Sequence, residues 1–147
     1  MTTAVDPLLA QASELTGGLA DFGDDSFRDG LEVFLDSGAN EGQLTEIGKA
    51  ALEGMALSNL VNRLNVVEWH RTHPELATSN IDSPIFLIGL PRTGTTALSH
   101  LLSVDPANRS LLGWEISQSV PPPTTATYRT DPRFIAAMEA PDMLGMI

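Results

Sequence analysis

Apolar residues recur at helical spacing through the first half of the chain, and the spacing changes abruptly at residue 85. Asp6-Pro7 offers a cap and a first-turn proline for a helix reaching about Leu15, where Gly17-Gly18 stops it. A second helix is expected from Ser26 to Asp36, with Phe27, Leu31, Phe34 and Leu35 on one face. Thr45 caps a long third helix with Glu46 in its first turn. Its stripe of Ile47, Ala51, Met55, Leu57, Leu60, Val61, Leu64 and Val67 ends near His73-Pro74 and reads as core. Residues 75 to 83 form a polar connector.

Beyond the connector, Ile85 to Ile88 is a continuous apolar run, the pattern of a strand buried on both faces. Thr95 to Leu102 returns to helical spacing, with Ala97, Leu98, Leu101 and Leu102 facing inward and Asp105-Pro106 ending the element. Leu111 to Trp114 is expected to be a second short strand. Residues 120 to 127, rich in proline and threonine, cannot be a central strand. Asp131-Pro132 opens a last helix to about Ala140. The pattern predicts an all-helical region over 1–78, then the start of an α/β domain over 79–147. The class is a P-loop-type three-layer fold on a parallel sheet. One clear strand and the residues after Thr96 cannot complete such a sheet, because each parallel neighbour needs a crossover. The apolar ending Met143 to Ile147 fits the same expectation, that this is the N-terminal part of an enzyme about twice as long.

Between strand and helix lies the chemistry. Gly89 and Gly94 stand five apart, with Thr96 in the Ser/Thr position of a G-x-x-x-x-G-K-[ST] phosphate loop. Thr95 occupies the place of the lysine, and Arg92 is the strong cation inside the loop. Such a loop holds an anion on backbone N–H groups and a helix N-terminus, without the lysine that a nucleoside triphosphatase sets on the β- and γ-phosphates.

The octapeptide Gly89-Leu90-Pro91-Arg92-Thr93-Gly94-Thr95-Thr96 resembles the 5′-phosphosulfate loop of bacterial sulfotransferases that use 3′-phosphoadenosine 5′-phosphosulfate. Arg71-Thr72-His73-Pro74-Glu75, Leu112-Gly113-Trp114-Glu115 and Pro121-Pro122-Pro123 are similar to that branch's flanking segments, so the resemblance spans roughly 40–140. It implies transfer of a sulfuryl group to a hydroxyl or amine of a small-molecule or carbohydrate acceptor. In that scheme the N–H groups from Thr93 to Thr96 wrap the donor's phosphosulfate and Gly94 lets the backbone approach. Arg92 both binds the donor and stabilises developing charge. Glu115, twenty-three residues after Arg92, matches the spacing of the base in related glycan sulfotransferases. Burial beside Trp114 would make it more basic. No metal is implied. No Arg/Ser pair suited to the donor's 3′-phosphate is evident after Glu115, so the chain alone is expected to be inactive.

Composition narrows the alternatives. A net charge of −11, with 8 Lys and Arg, leaves no basic footprint for nucleic acid. No apolar run approaches the ~18 residues of a membrane span, and no signal peptide is visible. Zero cysteines exclude a disulfide framework and fit a reducing cytoplasm. His70 and His73 share a helix face without a third metal ligand, and His100 is expected to pack or face solvent. Two other readings remain at this point: a P-loop kinase or NTPase, which calls for a lysine at position 95, and a non-catalytic helical interaction module.

Overall fold

The computed structural model describes residues 5–90 and 92–139. Three helices build its core: α1 (Val5–Leu15), α2 (Phe27–Asn40) and α3 (Glu46–Thr72). Val5, Leu9 and Ala12 of α1 close on Ala56, Leu60 and Leu64 of α3, with Phe22 and Leu35 completing the buried set. Leu64 is wholly inaccessible to solvent. The start of α3 is fixed as its sequence predicts: the Thr45 hydroxyl accepts the Gly48 N–H at 3.2 Å. Between α1 and α2 the chain is strapped down by Arg63, which donates to the carbonyls of Phe22 (2.6 Å) and Asp24 (2.7 Å). The same guanidinium lies 4.3 Å from the centre of the Phe27 ring.

Two details of these helices differ from the sequence reading. α2 continues past Asp36 to Asn40, its last turn carried by the Asn40 amide donating to Asp36 at 2.7 Å. On α3, Ile47 and Met55 are exposed, since α1 grips the helix around Ala56, Leu60 and Leu64 instead.

A single helical turn, Pro74–Thr78, follows α3. The remaining helices are α4 (Thr95–Ser103), α5 (Gly113–Ser117) and α6 (Pro132–Glu139), with a short turn at Tyr128–Thr130. The expected three-layer parallel sheet is not present: among the described residues there is no strand. Ile85 to Ile88 runs as an unpaired segment, Ile88 being 94% exposed. The physical reason is that a strand exists only through a neighbour's ladder groups. The described segments 104–112 and 118–127 form no regular element, and the latter carries three prolines that cannot donate to a ladder. With no sheet beneath α4, Leu98 and Leu101 are exposed rather than inward-facing.

The second expected strand, Leu111 to Trp114, is also corrected. Residues Gly113–Ser117 turn into α5 because the Glu115 carboxylate reaches back to the Leu112 N–H at 2.8 Å, capping a helix where a strand was expected. α6 opens at Pro132 as predicted, with Asp131 accepting the Arg133 N–H at 2.9 Å. The expected end of α6 at Ala140 lies outside the described residues.

α5 and α6 form a second cluster. Trp114 packs on Tyr128 (5.5 Å between ring centres) and Phe134 (6.3 Å), with the Arg133 guanidinium 5.2 Å from its ring. Asn62 joins this cluster to α3. Its amide donates to the Ile116 carbonyl at 2.9 Å and accepts the Ser119 N–H at 2.9 Å.

Candidate anion-binding loop and the Glu115 cluster

The loop before α4 is shaped by two glycines for two different reasons. At Gly89 the constraint is space: a Cβ there would lie 2.7 Å from the Thr93 hydroxyl oxygen and 2.7 Å from the Thr95 methyl. At Gly94 it is conformation, since φ is 89° and ψ is 12°, the left-handed region that suits glycine. Arg92 also adopts a positive φ, 62°, an uncommon state for a residue with a Cβ. Thr93 closes the turn by donating its hydroxyl to the Leu90 carbonyl at 2.7 Å.

α4 then begins, its first backbone bond running from the Leu98 N–H to the Gly94 carbonyl at 3.0 Å. The N–H groups of Thr95, Thr96 and Ala97 therefore have no carbonyl partner within the helix. Thr95 is half-buried, whereas Arg92, Thr93, Gly94 and Thr96 are exposed. The segment from Gly89 to Thr96 contains no carboxylate. First-turn N–H groups, threonine hydroxyls and one exposed guanidinium make a donor set suited to a phosphate or sulfate oxyanion.

Glu115 is placed differently from the loop. It is buried, with 5% exposure, and one carboxylate oxygen accepts from the Arg109 guanidinium while the other accepts from the Leu112 N–H. Both oxygens thus serve local order. No hydrogen bond or ion pair joins Glu115 to the loop residues among the described residues. Trp114 stands beside it with its indole nitrogen buried and unpartnered.

Arg109, Arg133 and Asn62 govern this region, and the sequence assigns none of them a role. The available signal was proximity in sequence, Arg109 lying six residues before Glu115. Arg133 donates to the carbonyls of Gln118 (2.6 Å) and Pro121 (2.7 Å) and forks onto Asp131 at 2.6 Å. That hydrogen-bonded pairing holds the Asp131 carboxyl far below the usual carboxylate range, at about 2. Asp131, and secondarily the charge of Glu115, raises the Arg133 guanidinium in turn.

The histidines stay outside this chemistry. His73 stacks on Trp69 at 4.0 Å between ring centres, and its Nδ1 lies 2.9 Å from the Trp69 carbonyl oxygen. His70 and His100 are exposed. Among the described residues, no three His, Asp or Glu side chains gather as a metal-binding group, and no helix is long and apolar enough to cross a membrane.

Comparisons with known proteins find sulfotransferases. Residues 84–146 match the sequence model of the sulfotransferase family, beginning at the segment that leads into the loop. A crystal structure of a sulfotransferase from Mycobacterium tuberculosis superposes with a TM-score of 0.76 at 37% identity, over 92% of this chain. The chain spans 37% of the length of that protein. No curated protein matches the chain.

Proposed function

We propose, for a chain that resembles the sulfotransferase family both in its loop and in a solved relative, that it carries the donor-binding part of a sulfotransferase. The reaction is transfer of a sulfuryl group from 3′-phosphoadenosine 5′-phosphosulfate to a hydroxyl or amine of a small-molecule or carbohydrate acceptor. The observation that carries this reading is the loop itself. Gly89 and Gly94 leave room and conformation for an oxyanion at the start of α4, and Thr95 stands where a nucleoside triphosphatase needs lysine.

In this reading Thr93, Gly94, Thr95 and Thr96 present N–H and hydroxyl donors to the donor molecule's phosphosulfate. The donor supplies the activated sulfuryl group. Arg92 binds beside them, and its guanidinium offsets negative charge that builds during transfer. Glu115 is the candidate base, its two oxygens held by Arg109 and by the Leu112 N–H, each with acceptor capacity left. The helical region 1–78 is a platform for the segment 79–147, and a reducing cytoplasm is the setting that fits a chain without cysteine.

Calorimetric titration separates this function from that of a kinase or NTPase. Adenosine 3′,5′-bisphosphate is expected to bind more tightly than ATP, with no dependence on magnesium. Tighter, magnesium-dependent ATP binding would overturn the proposal.

A further inference from the structure

Outside the loop, positive charge concentrates in one stretch of this acidic chain. Three of the 8 Lys and Arg residues, Arg109, Arg129 and Arg133, fall between 109 and 133, against only Glu115 and Asp131 among 19 acids. Two of these arginines, Arg109 and Arg129, line a single open cavity of about 510 Å³ together with Pro123, Thr124, Thr125 and Tyr128. Among the described residues no acidic side chain lines it.

The charges around the cavity are already sorted. Arg133 is bound to Asp131, and Glu115 is turned to Arg109 and to the Leu112 N–H. Arg109 and Arg129 thus line one cavity, Arg109 paired with the buried Glu115 and Arg129 exposed. Within a field set by a net charge of −11, this is where an anion finds local attraction.

The stretch that leads into the cavity is held by hydrogen bonds. Asn62 grips Ile116 and Ser119 from one side, and Arg133 grips Gln118 and Pro121 from the other. Thr124 and Thr127 then close the next turn through their hydroxyls, 2.8 Å apart. Of these groups Thr124 lines the cavity, so one point of its wall is held before a ligand arrives.

We propose that this cavity is an acceptor subsite which takes an anionic group (a sulfate, phosphate or carboxylate) on Arg109 and Arg129. The inference rests on the sulfotransferase reading for the identity of the ligand as acceptor, and on the cavity alone for its anionic character. Guanidinium forks match such oxyanions bidentately, and the Thr125 hydroxyl adds a further donor. The volume exceeds that of a lone anion and falls in the range of small-molecule sites, ~300–1,000 Å³. Tyr128 and Pro123 offer flat apolar faces for the ring of a sugar or arene beside the anion. The chemistry selected is thus a small ring compound carrying both an anionic group and the hydroxyl or amine to be sulfated.

The test is a ¹H–¹⁵N NMR titration of the 147-residue chain, including arginine Nε–H signals, with glucose 6-phosphate as probe and glucose as its neutral control. Glucose 6-phosphate should produce saturable shifts at Arg109, Arg129, Thr124 and Thr125, and bind at least about tenfold more tightly than glucose. Arg129→Gln should weaken it by about the same factor, while Arg71→Gln, at a surface arginine paired with Glu68, changes nothing. Unchanged signal dispersion elsewhere shows that the variant is folded.

Equal binding of the two sugars, or indifference to Arg129→Gln, overturns the proposal. Adenosine 3′,5′-bisphosphate provides the second arm. Simultaneous binding with the sugar phosphate supports an acceptor subsite, and displacement from Arg109 and Arg129 reassigns the cavity to the donor and overturns it. A bisphosphate that leaves Thr93 to Thr96 unmoved refutes the sulfotransferase reading, and with it the word acceptor. The sugar phosphate's own shifts report the anion site separately.

Discussion

Gly89→Ala tests the loop with a single methyl group. The added Cβ would sit 2.7 Å from the Thr93 hydroxyl oxygen and 2.7 Å from the Thr95 methyl, where real Cβ atoms keep at least 3.0 Å. Something must move. If Thr93 turns away, its 2.7 Å bond to the Leu90 carbonyl is lost, at about 1 kcal/mol. If Thr95 leaves its rotamer, the cost is about 0.5–1.5 kcal/mol. If both side chains hold, the backbone opens, and overpacking of this kind costs about 1–3 kcal/mol. Taken over that range, at about 1.4 kcal/mol per tenfold, affinity for adenosine 3′,5′-bisphosphate should fall about 2- to 140-fold in calorimetry. Thr95→Ser is the companion variant: it removes the offending methyl and keeps the hydroxyl. The double variant should recover part of the lost affinity, and the cycle of four proteins measures the coupling directly. Binding by Gly89→Ala within twofold of the parent would refute the claim that Gly89 is there for space.

Two further outcomes follow from packing and from charge. Leu64→Ala, at a fully buried position between α1 and α3, should cost about 2–5 kcal/mol in urea unfolding followed by circular dichroism; a loss below about 1 kcal/mol would mean that the α1–α3 contact is not the core. The Asp131 carboxyl, held by Arg133 at about 2 against an ordinary 3.8, lends stability that is complete above about pH 3.8 and is lost as pH falls towards 2. Asp131→Asn should remove that window from an acid titration of Trp114 fluorescence, and an unchanged titration would show that the pair does not hold α6.

The helical half was legible because its signals are local. Thr45 caps α3 as a threonine with glutamate in the following turn should, and the buried residues Leu60 and Leu64 belong to the stripe read from spacing. Spacing could not say how far a neighbouring helix would cover that stripe, so Ile47 and Met55 were assigned inward and are exposed. The sheet failed for a deeper reason. An apolar run such as Ile85 to Ile88 records a preference for burial, whereas a sheet is a property of pairs of segments. The same limit explains α5. Glu115 was weighed for its chemistry at long range, and its first effect is a hydrogen bond three residues back that makes a helix of an expected strand.

The loop shows the converse case. Glycine records a backbone requirement in the sequence itself, so Gly89 and Gly94 mark the turn. Arg92 gave no such notice of its positive φ, because arginine is not a residue that such a conformation selects. Glu115 is harder, since its spacing from Arg92 says nothing of Arg109, and burial alone does not make a carboxylate a base. Its availability depends on what Leu112 and Arg109 do during turnover. An anion drawn onto Arg109 need not strip Glu115 of that partner, for a guanidinium carries five N–H donors and can hold a carboxylate and a second oxyanion together. The proposed acceptor subsite and the candidate base therefore share one arginine without competing for it. Under this proposal the acceptor's anionic group and the candidate base are set relative to each other by the same side chain.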